Sequence, residues 1–150
     1  MMPVALGNEE AKTMLNVTAA SACSSLLKPH AEAVPSWGLK TERQEEVRVA
    51  RLDALVQSDN LPAPDLVKLD VQGYEQAVLE GGRETFAQAR RGIVEVSLYE
   101  LYDGQALLPE VLQRLCSLGF ALDDLSDAGR PWPEPPAQLD LWLTREPLSR

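Results

Sequence analysis

Asp70, Gln72, Glu75 and Glu95 are the side chains whose type and setting suit moving a proton or holding a hydroxyl. Leu66 to Val71 is an apolar run that carries Lys68 and ends in a carboxylate, Asp70, beside the small polar turn Gln72-Gly73. Such a stretch fits a buried strand that delivers a carboxylate to a sheet edge and then turns into a helix. In open α/β sheets, ligands occupy the crevice at the carboxyl ends of the strands. There Asp70 acts as a base or holds a hydroxyl, or it caps the helix that follows. Gln72 hydrogen-bonds a ligand or serves as a plain turn residue. Glu75 opens the next helix, a place carboxylates favour through the helix dipole whether or not they do chemistry. Glu95 stands among β-branched residues in Ile93 to Leu98. Buried there, it needs a partner, and its pKa rises toward the range of a general base. Tyr99 and Tyr102 follow, lining a pocket or packing the loop. Lys68 is expected in an ion pair with Asp53 or Glu95, with ligand contact as the other reading.

Composition bounds what these residues serve. The chain has 150 residues, enough for one domain with a core, and 45% of them are hydrophobic. Fourteen basic against 23 acidic residues give a formal charge of −9. No basic run or basic helical face occurs, which argues against nucleic-acid partners and anionic membranes. Cys23, Cys116 and His30 have no metal-ligand spacing, so a zinc site is not expected. Asp70 to Glu75 resembles the start of a calcium loop, but the remaining ligand positions are missing. His30 is read as a surface residue, Cys116 as a core thiol on an apolar helical face. Two unpatterned cysteines without a signal peptide fit a reducing cytoplasm. No apolar run approaches the ~20 residues of a membrane span.

The elements around the site follow from pattern. Ala5-Leu6 ends a short strand at the Gly7-Asn8 turn, and Thr13 to Ala20 is a second strand. Residues 20–40 lack a period and are expected as a loop, with a short strand near Ser25 to Leu27. Glu45 to Ala50 alternates as a strand. Asp53 is expected to cap a short helix that runs to Asp59-Asn60. Helices are expected over Glu75 to Leu79, ended by Gly81-Gly82, and over Arg83 to Arg91, closed by Gly92. A helix beginning near Pro109 has apolar residues at helical spacing, with Gly119 as its cap. Phe120 to Leu122 starts a strand, Asp127 to Gln138 is a Pro-rich connection, and Leu139 to Leu143 is the last strand. Alternating strands and helices with a closing hairpin indicate βαβ architecture in an α/β fold.

Together, Val67-Lys68-Leu69-Asp70-Val71-Gln72-Gly73-Tyr74-Glu75, Val78-Leu79-Glu80-Gly81, Glu95 to Tyr99, Tyr102 to Gln105 and Gly119-Phe120 resemble the FkbM family of S-adenosylmethionine-dependent methyltransferases. Leu52-Asp53-Ala54-Leu55, Ala5-Leu6-Gly7-Asn8 and Leu139 to Arg145 extend the likeness over nearly the whole chain. The resemblance implies a Rossmann-like class I methyltransferase sheet, ordered 3-2-1-4-5-7-6 and closed by a C-terminal antiparallel hairpin. It implies O-methylation of a hydroxyl on a sugar or natural product, with S-adenosylmethionine as cofactor. Asp70, Glu95 and Glu75 become the catalytic candidates. Ala5, Leu6, Asp70 and Gln72 become cofactor contacts, and Gln72, Tyr99 and Tyr102 acceptor contacts. The acceptor is a small molecule or glycan, with no nucleic acid or membrane partner.

The same resemblance places a strand with a Gly-rich cofactor loop, and a second strand ending in an acidic residue, before the Ala-Leu-Gly turn. Residues 1–150 contain no G-x-G turn. They are therefore expected to form one partial methyltransferase domain, truncated at its N-terminus. Without strand one, Leu66 to Val71 becomes an exposed apolar edge. Three outcomes are expected for it: homodimerisation through 66–71, rebuilding by the N-terminal segment, or a truncated product. A further polypeptide supplying the first two strands is another. The alternative to an enzyme is a non-catalytic remnant that acts as a binding or oligomerisation module.

Overall fold

The computed structural model describes residues 3–129 and 137–145. Among these the chain forms seven strands and five α-helices in two separate mixed sheets. β1 (Ala5–Leu6), β2 (Ala11–Thr18) and β3 (Thr41–Ala50) make the first, in the order β1-β3-β2. β1 runs parallel to β3, and β2 runs antiparallel to it. The loop between β2 and β3 holds a 3-10 turn (Ser21–Cys23) and α1 (Ala33–Trp37), so it carries more structure than its lack of period suggests. The strand expected near Ser25 is a single bridge to Asn16.

β4 (Leu66–Leu69), β5 (Arg91–Ser97), β6 (Ala121–Gly129) and β7 (Gln138–Thr144) make the second sheet, in the order β4-β5-β7-β6. Only β4 and β5 are parallel. β6 runs seven residues beyond Leu122, through Asp123-Asp124 and Ser126-Asp127, whose polarity hides it as a strand. Residues 127–129 of the expected Pro-rich connection thus belong to β6, whereas Trp132 and its neighbours lie outside the described residues. Gly92 is a strand residue in β5 rather than a helix cap.

One face of this sheet is packed with helices. Leu69, Val94, Val96, Leu141 and Leu143 meet Val78 and Leu79 of α3 (Glu75–Gly81), Phe86 of α4 (Arg83–Gln88), and Val111 and Leu115 of α5 (Leu108–Ser117). This burial of branched side chains is the main stabilising term of the fold. Pro109 sits in the first turn of α5, and Gly119 takes φ +91 just past its end, as expected. Cys116 points outward and is exposed, so it is no core thiol.

Two contacts tie distant segments together. A Cβ on Gly81 would lie 1.8 Å from the carbonyl oxygen of Gly7, so only glycine lets α3 approach the end of β1. Asp53 does not cap its own helix α2 (Leu52–Ser58), which has no side-chain cap. It instead accepts from Glu84 N (3.1 Å), Thr85 N (2.9 Å) and Thr85 Oγ1 (2.8 Å) at the start of α4.

β1, the N-terminal strand, pairs with β3 and not with β4, so it does not rebuild the second sheet. Among the described residues the outer edge of β4 is unpaired, with Leu66 55% exposed.

Candidate active site

The polar side chains gather where the parallel pair β4 and β5 ends. Asp70 follows β4 directly, and Glu95 lies in β5 opposite Asp140 of β7. Between them, Gln72 adopts φ +53, a left-handed conformation that disfavours a non-glycine residue by roughly 1–2 kcal/mol. Several bonds hold it there. Its carbonyl accepts from Ser25 Oγ at 2.6 Å. The Glu75 carboxylate accepts from the flanking Val71 N (3.3 Å) and Gly73 N (3.1 Å). Strain that is over-determined by its surroundings marks a site worth testing for function.

The Gln72 side chain joins the two candidate carboxylates. Its Nε2 donates to Asp70 Oδ1 at 2.8 Å and to Glu95 Oε1 at 3.0 Å. Its Oε1 lies 3.0 Å from the Tyr102 hydroxyl, which also lies 2.8 Å from the Cys23 carbonyl. Lys68 pairs with Asp70 at 2.9 Å, rather than with Asp53 or Glu95. That bond raises the Lys68 pKa. Gln138, at the start of β7, also donates from Nε2 to Glu95 Oε1 at 2.5 Å.

These surroundings set the charges. Burial pushes the Glu95 carboxyl up to about 7, helped by the like charges of Asp70, Asp140 and Glu75 and opposed by the Gln72 hydrogen bond. Near neutral pH Glu95 therefore populates both its charged and its neutral form. Glu75 is also raised by burial, but it is 3% exposed and spends its carboxylate on the turn, so its role here is to hold Gln72 in place. Burial raises the Tyr102 phenol far above its ordinary range and raises the Cys23 thiol.

Tyr102 is 1% exposed, so its ring offers no stacking surface for an acceptor. It reaches the site through Gln72. A small second core of Ala33, Leu39, Leu101, Tyr102 and Ala137 buries it, and the Gln105 side-chain oxygen Oε1 accepts from Leu101 N (2.8 Å) and Tyr102 N (2.7 Å) to fix its loop. Tyr99 is exposed at the rim after β5. Ala5 and Leu6 lie in the other sheet, with Leu6 packed toward the main core. A pocket of about 230 Å³ beside the turn is lined by Leu27, Gly73, Tyr74 and Ala106, with neither Asp70 nor Glu95 in its wall.

Ser25 and Gln138 were not among the candidates. Gln138 had one weak signal, a polar residue starting an alternating strand, and Ser25 had none. Among the described residues no group of His, Cys, Asp and Glu could hold a metal ion, and no helix is long and apolar enough to cross a membrane.

Comparison with known proteins bears on what this arrangement is for. The model of the methyltransferase FkbM domain matches residues 1–122. A stretch of 71 residues, 47% of this chain, is 41% identical to the 2-O-methyltransferase NoeI of Sinorhizobium fredii. That match spans 29% of the relative's length, less than a third. No solved structure matches significantly. The family match covers well over half of the sequence and includes Asp70, Gln72 and Glu95, so the chain belongs to the FkbM methyltransferase family.

Proposed function

We propose that this chain is an S-adenosylmethionine-dependent O-methyltransferase unit that acts on a hydroxyl of a sugar or natural product. The observation that carries this reading is the meeting of Asp70, Gln72 and Glu95 at the ends of two parallel strands, in an FkbM chain. The order β4-β5-β7-β6 supports a Rossmann-like class I sheet whose strands four to seven lie in this chain. The relative's name, a 2-O-methyltransferase, supports a hydroxyl acceptor.

The residues fit one wall of a cofactor site. Asp70, Glu95 and Asp140 make this end of the sheet acidic, which suits a sulfonium cation, and Asp70 and Gln72 would touch it. Among the described residues no Gly-x-Gly turn brings backbone against an adenosyl group. When bound, S-adenosylmethionine supplies an electrophilic methyl carbon. The chain's residues then have two tasks. Asp70, oriented by Lys68 and Gln72, holds the acceptor hydroxyl in line, and Glu95 takes its proton as the oxygen forms its new bond.

Calorimetric titration with S-adenosylhomocysteine tests this. Uptake by the folded chain, weakened about tenfold or more in Asp70→Ala, is the expected result. No uptake by a folded sample contradicts the reading for residues 1–150.

The unpaired apolar edge of β4 supports association as a second property, compatible with the first. Two copies pairing through this edge would scatter light as a dimer, and Leu66→Lys would return the monomer. A wild-type monomer whose β4 amides exchange freely would rule this out.

A further inference from the structure

We infer that Gln138 and Gln72 are positioning residues that decide which oxygen of Glu95 takes the proton; this rests on Glu95 being the base. Both side-chain amides donate to the same atom, Oε1, from Gln72 at 3.0 Å and from Gln138 at 2.5 Å. Among the described residues no donor reaches Oε2. Two N–H donors concentrate negative charge on Oε1 and hold the carboxyl plane still, so the free oxygen, Oε2, receives the acceptor's proton. One O–H bond breaks on the acceptor and one forms at Oε2.

The amides are themselves fixed. Gln138 is 8% exposed and sits opposite Ser97 in the β5–β7 ladder, two register steps from the Glu95–Asp140 pair. Turning the Gln72 amide over would set its oxygen against two carboxylates and lose both of those bonds. Its oxygen faces the Tyr102 hydroxyl, and its nitrogen faces two carboxylates. Tyr102 therefore acts on Glu95 through Gln72. A neutral amide at position 72 also separates Asp70 from Glu95, where a third carboxylate would repel both.

The charged and titratable groups facing Glu95 are Asp70 and Lys68 from β4 and its end, Asp140 from β7, Glu75 from α3, Cys23 from the 3-10 turn and Tyr102 from the loop after β5. None of them donates to Glu95, so the two amides are the groups that favour its charged form by hydrogen bonding.

The test is a carbon-13 NMR titration of the Glu95 side-chain carboxyl, assigned by its loss in Glu95→Gln. Removing a donor favours the neutral form, so Gln138→Met raises the midpoint by about one pH unit. Gln72→Asn keeps a residue suited to positive φ but shortens the amide, and it raises the midpoint likewise. Tyr102→Phe, which does not touch Glu95, raises it by a smaller amount. An unchanged midpoint in both Gln138→Met and Gln72→Asn, with native amide spectra, overturns the inference. If Gln138→Met fails to fold, Gln72→Asn alone decides. The titration needs neither cofactor nor acceptor, so its outcome is separate from the S-adenosylhomocysteine result.

Discussion

The two sheets treat charge in opposite ways. In the β1-β3-β2 sheet, Lys12 meets Glu46, Arg48 meets Glu10 and Arg43 meets Glu45, all with side chains at least half exposed. Water screens these pairs, and each contributes little. In the β4-β5-β7-β6 sheet, Glu95 is half-buried, and two amides rather than a cation hold it. A hydrogen bond from an amide stabilises a carboxylate without cancelling its charge, and burial then leaves the pKa high. The first sheet pairs its charges in water, and the second holds one carboxylate with a raised pKa among amides. Both depend on a few contacts that join them to the helical layer.

That dependence gives the largest expected effect. Gly81→Ala forces a Cβ into the Gly7 carbonyl, so either α3 or the end of β1 must move. We expect a loss of about 3 kcal/mol or more in denaturant unfolding. A loss below about 1 kcal/mol would mean that the sheets are not coupled there. Asp53→Ala removes three hydrogen bonds from the start of α4 and is expected to cost about 2 kcal/mol.

Glu95→Gln sharpens the contrast through pH. The Glu95 carboxyl is raised from 4.5 to about 7 on folding, so between these values the folded state binds more protons than the unfolded chain. Stability therefore falls as pH rises through that window. At pH 8 the Gln variant should be the more stable by about 1 kcal/mol after discounting for partial exposure, with no advantage below pH 4.5. Thermal melts across pH check the sign. Lys12→Ala, on the exposed pair, should change stability by less than about 0.5 kcal/mol at any of these pH values.

Much of the second sheet was legible in sequence, because β4 and β5 are apolar runs and α5 has a clear helical period. Asp70 at a strand end, Gln72 in the turn after it and Glu95 within an apolar strand were legible as polar candidates, and they do converge. What sequence hid were partnerships across distance. Asp53 sits in the first turn of α2 but caps α4, which begins 30 residues later. Lys68 was expected to pair with Asp53 or Glu95 and pairs instead with Asp70, two residues away on the same face of the extended chain. For Tyr102 the sequence left pocket lining and loop packing open, and the 20–40 segment folds over it, joined by the His30 N to Leu101 O bond of 2.9 Å. The acidic β6 had no apolar alternation to mark it. Arg145, near the end of the described chain, gave no local sign that it would donate to Ala89 O (2.6 Å), Phe86 O (2.8 Å) and Leu118 O (2.6 Å) at the C-terminal ends of α4 and α5.

For Glu95 to serve as the base, the fold must hold its carboxyl near neutrality. The most direct measurement is the titration midpoint of its side-chain carboxyl in the unmodified protein. A midpoint near 7 is expected, against the ordinary value of 4.5. A midpoint near 4.5 would contradict it, because a carboxylate already ionised in mild acid is not poised to take a hydroxyl proton.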